Sequence, residues 1–191
     1  MANSDNPQGL RPIKYLSGAP YNGAGNVYNV AAGDSVIINP GDPVIVTGTA
    51  DTRGIPTVAK ATAGATNRIT GVMLSLTNGE STVLQDSNVS TAASTNQYIL
   101  VEDNPNVVYD VQMSGALAVT DISNTASLLI PVSTVDGKSQ AEVNTATIGT
   151  GATDQVRILR LRDVENNEIG TNSNVEVVIN LPTTANDIAG V

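Results

Sequence analysis

The side chains of this chain that could do chemistry are carboxylates and little else. Its 191 residues include no Cys, His, Trp or Phe. Without Cys there is no disulfide framework, thiolate nucleophile or Cys-based zinc site. Without His there is no Ser-His-Asp triad, and no side chain titrates unperturbed near neutral pH. Two groups of acids remain, Glu102-Asp103 with Asp110, and Asp163-Glu165-Glu168 beside Asn166 and Asn167. Either could offer oxygens to Ca²⁺, but neither has EF-hand spacing, and acids are common in surface loops. A paired-carboxylate glycosidase would also need aromatic platforms for sugar rings, and Trp is absent. Gly23-Ala24-Gly25 and Gly149-Thr150-Gly151 complete neither a dinucleotide fingerprint nor a phosphate loop, so both read as plain loops. The expectation is a protein that is not an enzyme and needs no cofactor or metal.

Charge narrows the partners. Eighteen acidic residues stand against nine basic ones, which argues against a nucleic-acid surface, where Lys and Arg must neutralise phosphates. Half of the six arginines lie in one stretch, Gln155-Val156-Arg157-Ile158-Leu159-Arg160-Leu161-Arg162. It alternates with a single slip at Ile158-Leu159. A bulge there would keep Val156, Ile158, Leu159 and Leu161 inward and Arg157, Arg160 and Arg162 outward. That row reads either as a solvated strand face balanced by Asp163, Glu165 and Glu168, or as a basic strip docking an acidic partner. Apolar runs are only a few residues long, so no membrane span is expected. The opening Met1–Pro7 has neither the basic nor the apolar region of a secretory signal.

The elements that must position these residues are strands. Val, Ile and Leu supply 49 of the residues, about 26% and above the roughly 20% below which disorder is expected, so a core can form. Val and Thr dominate, punctuated by Gly and Asn. Strand character recurs at Asn26–Ala31, Ser35–Asn39, Pro43–Gly48, Thr57–Ala63, Ile69–Thr77, Glu80–Gln85, Gln97–Glu102, Val107–Met113, Ser139–Thr145, Asp154–Arg162 and Asn174–Leu181. The spacing predicts a mainly β fold, an antiparallel sandwich or barrel-like body with at most one or two short helices. The best helix candidate is Asp121–Leu129, with Thr120 as N-cap and Pro131 closing it. Asn78-Gly79 predicts a type I′ hairpin that sets Leu74 opposite Val83 and Met73 opposite Leu84. Asp136-Gly137 predicts another between Ile130–Val135 and Lys138–Val143, with Pro131 pointing to an edge.

The chain divides into an extended N-terminal arm (1–25), a single β-rich body (26–181) and a polar C-terminal tail (182–191). The arm carries three prolines and four glycines, which suit neither a helix nor an internal strand. Yet Leu10, Ile13, Tyr15, Leu16 and Tyr21 are apolar groups that a solvated tail has little use for. Laid on another surface they would be buried, by strand addition to a sheet edge or by filling a groove. Leu10, Arg11, Ile13, Lys14, Tyr15, Leu16 and Tyr21, with Arg157, Arg160 and Arg162, are the candidate contact residues.

Asn6-Pro7-Gln8-Gly9-Leu10-Arg11-Pro12 and Gly18-Ala19-Pro20-Tyr21-Asn22-Gly23 resemble the opening of the tailed-bacteriophage head decoration, or capsid cement, proteins. The resemblance continues through Gly41-Asp42-Pro43-Val44, Gly54–Ala61, Ile69-Thr70-Gly71-Val72, Tyr98–Val101 and Val107–Gln112. It ends in Ile158-Leu159-Arg160-Leu161, Asp163 and Glu165–Gly170, and so covers most of the chain in order. It implies a β-rich structural virion protein on the outer surface of the capsid, holding neighbouring major capsid subunits together. It also implies self-association as a homo-oligomer, a trimer being favoured. The alternatives are a tail or tail-fibre component, for which repeats or heptads are missing, and a carbohydrate-binding or carbohydrate-cleaving β domain.

Overall fold

The computed structural model describes residues 3–34, 36–77, 84–85, 95–132 and 137–184. Its strands, in chain order, are β1 (Arg11–Tyr15), β2 (Asn26–Val30), β3 (Pro43–Ala50), β4 (Pro56–Lys60), β5 (Gly71–Thr77), β6 (Leu84–Gln85) and β7 (Gln97–Glu102). They continue as β8 (Val107–Gln112), β9 (Thr125–Ala126), β10 (Leu128–Leu129), β11 (Glu142–Val143), β12 (Val156–Leu161) and β13 (Asn174–Ile179). The fold is mainly β, as the alternating pattern predicts.

Two sheets make the body. One is antiparallel throughout, in the order β1-β8-β13-β12-β9; the other runs β3-β4-β2-β7-β5-β6, and β3 also pairs with β5. That last pairing, Pro43 with Val72 and Val44 with Gly71, closes β3, β4, β2, β7 and β5 into a small barrel. Closure removes sheet edges that would otherwise invite foreign strands. Gly71 makes it sterically feasible, because a Cβ there would lie 2.2 Å from the Glu102 carbonyl oxygen on β7. The barrel encloses Tyr28, Val30, Ile38, Val44, Val58, Met73, Ile99 and Val101.

Outside the barrel, Ala61, Ile69 and Val72 meet the inner face of the open sheet in a second, larger core. Alternation explains that face: Val107, Tyr109 and Val111 of β8 and Val175, Val177 and Ile179 of β13 point inward. Each such side chain contributes about 1.5–3 kcal/mol when fully buried. Among the described residues Tyr109 is the largest that is fully buried, in a chain that has no Phe or Trp. Buried polar hubs tie the long connections down. The Gln155 side chain accepts from Gly64 and Leu128 amides and donates to the Thr62 and Asn67 carbonyls. Asp42 accepts from Lys60 at 2.8 Å and from Ser139 at 2.6 Å, an ion pair almost free of water.

Several sequence-based expectations need correction. Asp121–Leu129 is not a helix: a single 3-10 turn spans Val119–Asp121, followed by β9 and β10. The Asp121 carboxylate accepts from the Ala118 amide and closes that turn, so Thr120 is not the cap. Ser123, at φ 73°, then leaves helical space, and Thr125 and Ala126 are taken up by pairing with β12. Thr77 pairs with Leu84 and Leu76 with Gln85, four positions from the register of an Asn78-Gly79 turn, and Met73 faces Val101 instead. Residues 78–83 themselves lie outside the described residues. In the second expected hairpin the pairing is Leu128 with Val143 and Leu129 with Glu142, two positions from the expected register and before the expected strand Ile130–Val135; residues 130–132 form no strand, and 133–136 are outside the described residues. Residues 36–39 form no strand, although Ile38 is buried in the barrel.

Residues 3–25 of the expected arm fold onto the body. β1 pairs with β8, Tyr15 opposite Val107 and Arg11 opposite Asp110, and Leu10 is wholly buried in the larger core. At the other end Thr183 is bonded to Ile69 and Thr70, and Thr184 to Asp103; residues 185–191 lie outside the described residues. Leu10→Ala should therefore lower the unfolding free energy by about 2–5 kcal/mol, read as a shift in the urea midpoint. A change within about 0.5 kcal/mol, as for a surface position, would remove Leu10 from the core.

Candidate docking groove

On β12 the alternation slips where expected, between Ile158 and Arg160 in the pairing with β13. Val156 and Ile158 are buried and Leu161 is packed against the core. Leu159 departs from the expectation: it is half-buried and lines a groove on the outward face together with Arg160. The bulge turns both residues outward in succession, which a regular strand cannot do.

That groove has a volume of about 430 Å³. Its walls come from the two segments singled out separately in the sequence, Lys14 and Tyr15 of β1 with Leu16 just beyond it, and Leu159 and Arg160 from β12, across a floor of Val108 and Glu176. The strand order explains the meeting, since β8 and β13 lie between β1 and β12. Leu16 is 52% exposed at the rim.

Glu176 organises the charge. It occupies an outward position of β13, yet only 4% of its side chain is exposed. Lys14 Nζ lies 2.6 Å from its Oε2 and Arg160 Nε 2.7 Å from the same oxygen. Arg162 approaches Oε1 at 3.7 Å and Asp110 at 3.8 Å, distances for ionic contact rather than hydrogen bonding. Burial pushes the Glu176 carboxyl up, but hydrogen bonds from Arg160 and Lys14 outweigh it and hold the group below the usual carboxylate range. Asp110 goes the other way: burial raises it, against the opposing pull of Arg162 and Arg11.

The remaining candidates lie elsewhere. Leu10 is in the core. Arg11 is exposed and donates to Gln8. Ile13 is half-buried in β1. Tyr21 packs against the core with its ring 6.0 Å from that of Tyr15, and its hydroxyl donates to Ala24. Arg157 is exposed on β12, beyond the groove lining. Arg160 and Arg162 are thus balanced chiefly by Glu176 and Asp110; of Asp163, Glu165 and Glu168, to which the sequence pointed, Asp163 adds a lesser attraction to Arg160. Glu176 was missed, although it is the one charged residue in the Val-rich run Asn174–Ile179, at a position where alternation points away from the core.

The acidic groups do not converge. Asp103 accepts from Asn26 and Tyr28, Glu102 from the Asn104 amide, and Asp110 faces Arg162. Among the described residues no group of three or more acids is placed to hold a metal ion, and no helix is long and apolar enough to cross a membrane. The groove itself offers apolar contact flanked by fixed cations, which suits a protein segment. Compared with protein-family models, with curated proteins and with solved structures, the chain matches none.

Because the folded-state value of Glu176 is below its ordinary 4.5, its pairing stabilises the fold above that pH and is lost as pH falls through the lower folded value. Glu176→Gln should cost about 1 kcal/mol or somewhat more near neutral pH, discounting the share of solvent-screened Arg160. The gap from the unaltered chain should close on acidification below about pH 4.5. Urea unfolding across that range reads it, and a gap independent of pH would refute the assignment.

Proposed function

We propose that this chain is a structural virion protein that binds the outer surface of a bacteriophage capsid, strengthens contacts between major capsid subunits, and does no catalysis. The observation that supports this reading is the groove. The N-terminal residues and the arginine-bearing strand, each picked out as a protein-contact candidate, meet there and leave Leu16, Leu159 and the Arg160 head available. The ordered resemblance to head decoration proteins points the same way. A shell is reinforced by many modest contacts, because symmetry-related copies act together and raise one another's effective concentration. The acidic balance of the whole chain suits an outer, DNA-free face.

The strand-addition mode considered for the arm has less support. β1 is already paired with β8 on one side, and on the other Tyr15 and Ile13 bond to Ala19 and Tyr21 of the returning chain. A partner is met by the face of the sheet. Purified chain added to capsids lacking it should bind with saturable stoichiometry and raise the temperature at which they rupture. Leu16→Asp and Arg157→Glu, both at exposed positions, should together weaken retention at least tenfold, about 1.4 kcal/mol. Failure of the unaltered chain to bind any capsid surface would overturn the proposal.

A further inference from the structure

Asp154 is a buried charge without a counter-charge. The residue is 8% exposed, and none of the nine basic side chains lies within ion-pair distance of it. Buried charges are paired or hold metal ions, and Asp42 and Glu176, buried to a similar degree, each have a Lys or Arg. The Asp154 carboxylate faces hydroxyls instead. Its Oδ1 lies 3.2 Å from Ser127 Oγ and its Oδ2 3.0 Å from Thr125 Oγ1.

Thr125 is short of protons. Its Oγ1 also lies 2.8 Å from the Gly151 carbonyl oxygen and 3.2 Å from that of Gly149. A hydroxyl carries one proton and can donate across only one of these three contacts. The Gly149 oxygen is served by the Thr125 amide at 2.8 Å, but the Gly151 oxygen has only the Asp154 amide at 3.4 Å. Whichever way the hydroxyl turns, Gly151 or Asp154 is left facing it oxygen to oxygen. Such contacts repel unless a positive charge lies among them.

Gly149-Thr150-Gly151, a plain loop in the sequence, brings these oxygens together. Gly149 exchanges both backbone hydrogen bonds with Thr125, and a Cβ on Gly151 would lie 2.7 Å from Asp154 Oδ2. Asn180 donates to the Ala152 and Asp154 carbonyls, and the Thr66 amide to that of Thr153, so the loop is pinned from outside. Residues 150–153 are exposed, which puts the cluster next to water although Thr125, Ser127 and Asp154 are buried. It shares no residue with the groove.

Four oxygens, one of them charged, with no nitrogen or sulfur among them, suit a hard cation. Oxygens that share a Ca²⁺ at about 2.4 Å crowd to roughly 3 Å from one another, and Ca²⁺ tolerates irregular spacing that Mg²⁺ does not. We infer that Asp154, Thr125 and the Gly149 and Gly151 carbonyls bind one Ca²⁺, with water completing its shell from the open side. A single carboxylate places the site at the weak end of the Ca²⁺ range, with Kd about 10⁻⁴–10⁻³ M. The ion ties the 149–154 loop to β9.

Calcium titration of the full chain, followed by calorimetry and by the thermal unfolding midpoint, tests this. One Ca²⁺ per chain should bind saturably, and about 10 mM Ca²⁺ should raise the midpoint by about 3–10 °C. Asp154→Asn keeps the shape, removes the charge and should weaken binding at least tenfold. Thr125→Val should weaken it several-fold and decides the matter if Asp154→Asn does not fold, with circular dichroism reporting the fold. Glu165→Gln, at an exposed acid after β12, should bind like the unaltered chain. Magnesium and sodium chloride at equal ionic strength control for screening of the net charge of −9. No saturable binding at about 10 mM Ca²⁺, undiminished binding by the folded site variants, loss of binding in Glu165→Gln, or an equal rise with Mg²⁺ or Na⁺ would each overturn the inference.

Discussion

One carboxylate, buried although it lies on the outward face of a sheet, governs that face of this protein. Glu176 is nearly water-free, and a charge so placed is tolerated only if it is paired and hydrogen-bonded. Its partners come from β1 and from β12 and the residue that follows it, segments about 146 residues apart in the chain. The same ion cluster therefore fixes the first strand against the last hairpin and sets the spacing of the groove walls. Remove the charge and the cations above it repel one another; remove a cation and the carboxylate is stranded.

The interior follows a related rule. This chain, without Phe or Trp, divides its aliphatic residues between a closed barrel and an interlayer core. Long connections then lie over polar hubs such as Gln155 and Asp42, whose hydrogen bonds replace the ring stacking that would otherwise pin them. Such hubs give one arrangement of the loops an advantage over the others, because any alternative leaves a buried donor or acceptor without a partner.

Local signals carried much of this. Gln97–Glu102 was legible residue for residue, and Asn26–Ala31 and Asp154–Arg162 nearly so, because period-two alternation is a short-range property. The bulge at Ile158-Leu159 was also visible as a slip in that alternation, although which way Leu159 turns depends on the strand beside it. Asp121–Leu129 misled for the converse reason: its start and stop signals, Thr120 and Pro131, are local, and pairing with β12 claimed Thr125 and Ala126. The first 25 residues looked peripheral because their prolines and glycines speak only of local geometry. That Leu10 fills the core and β1 completes a sheet is settled by β8, nearly a hundred positions later. Of the groove, Lys14, Tyr15, Leu16 and Arg160 were legible as contact residues, while Leu159, the meeting point and the Glu176 floor were not.

The pairing of β1 with β8 also has a consequence during synthesis. About a hundred residues must leave the ribosome before that strand finds its mate, and such distant closure is slow. Meanwhile a nascent strand stands open. Pro12, which has no amide hydrogen to offer, and the charged Arg11 and Lys14 on either side of it make it a poor template for a neighbouring nascent chain.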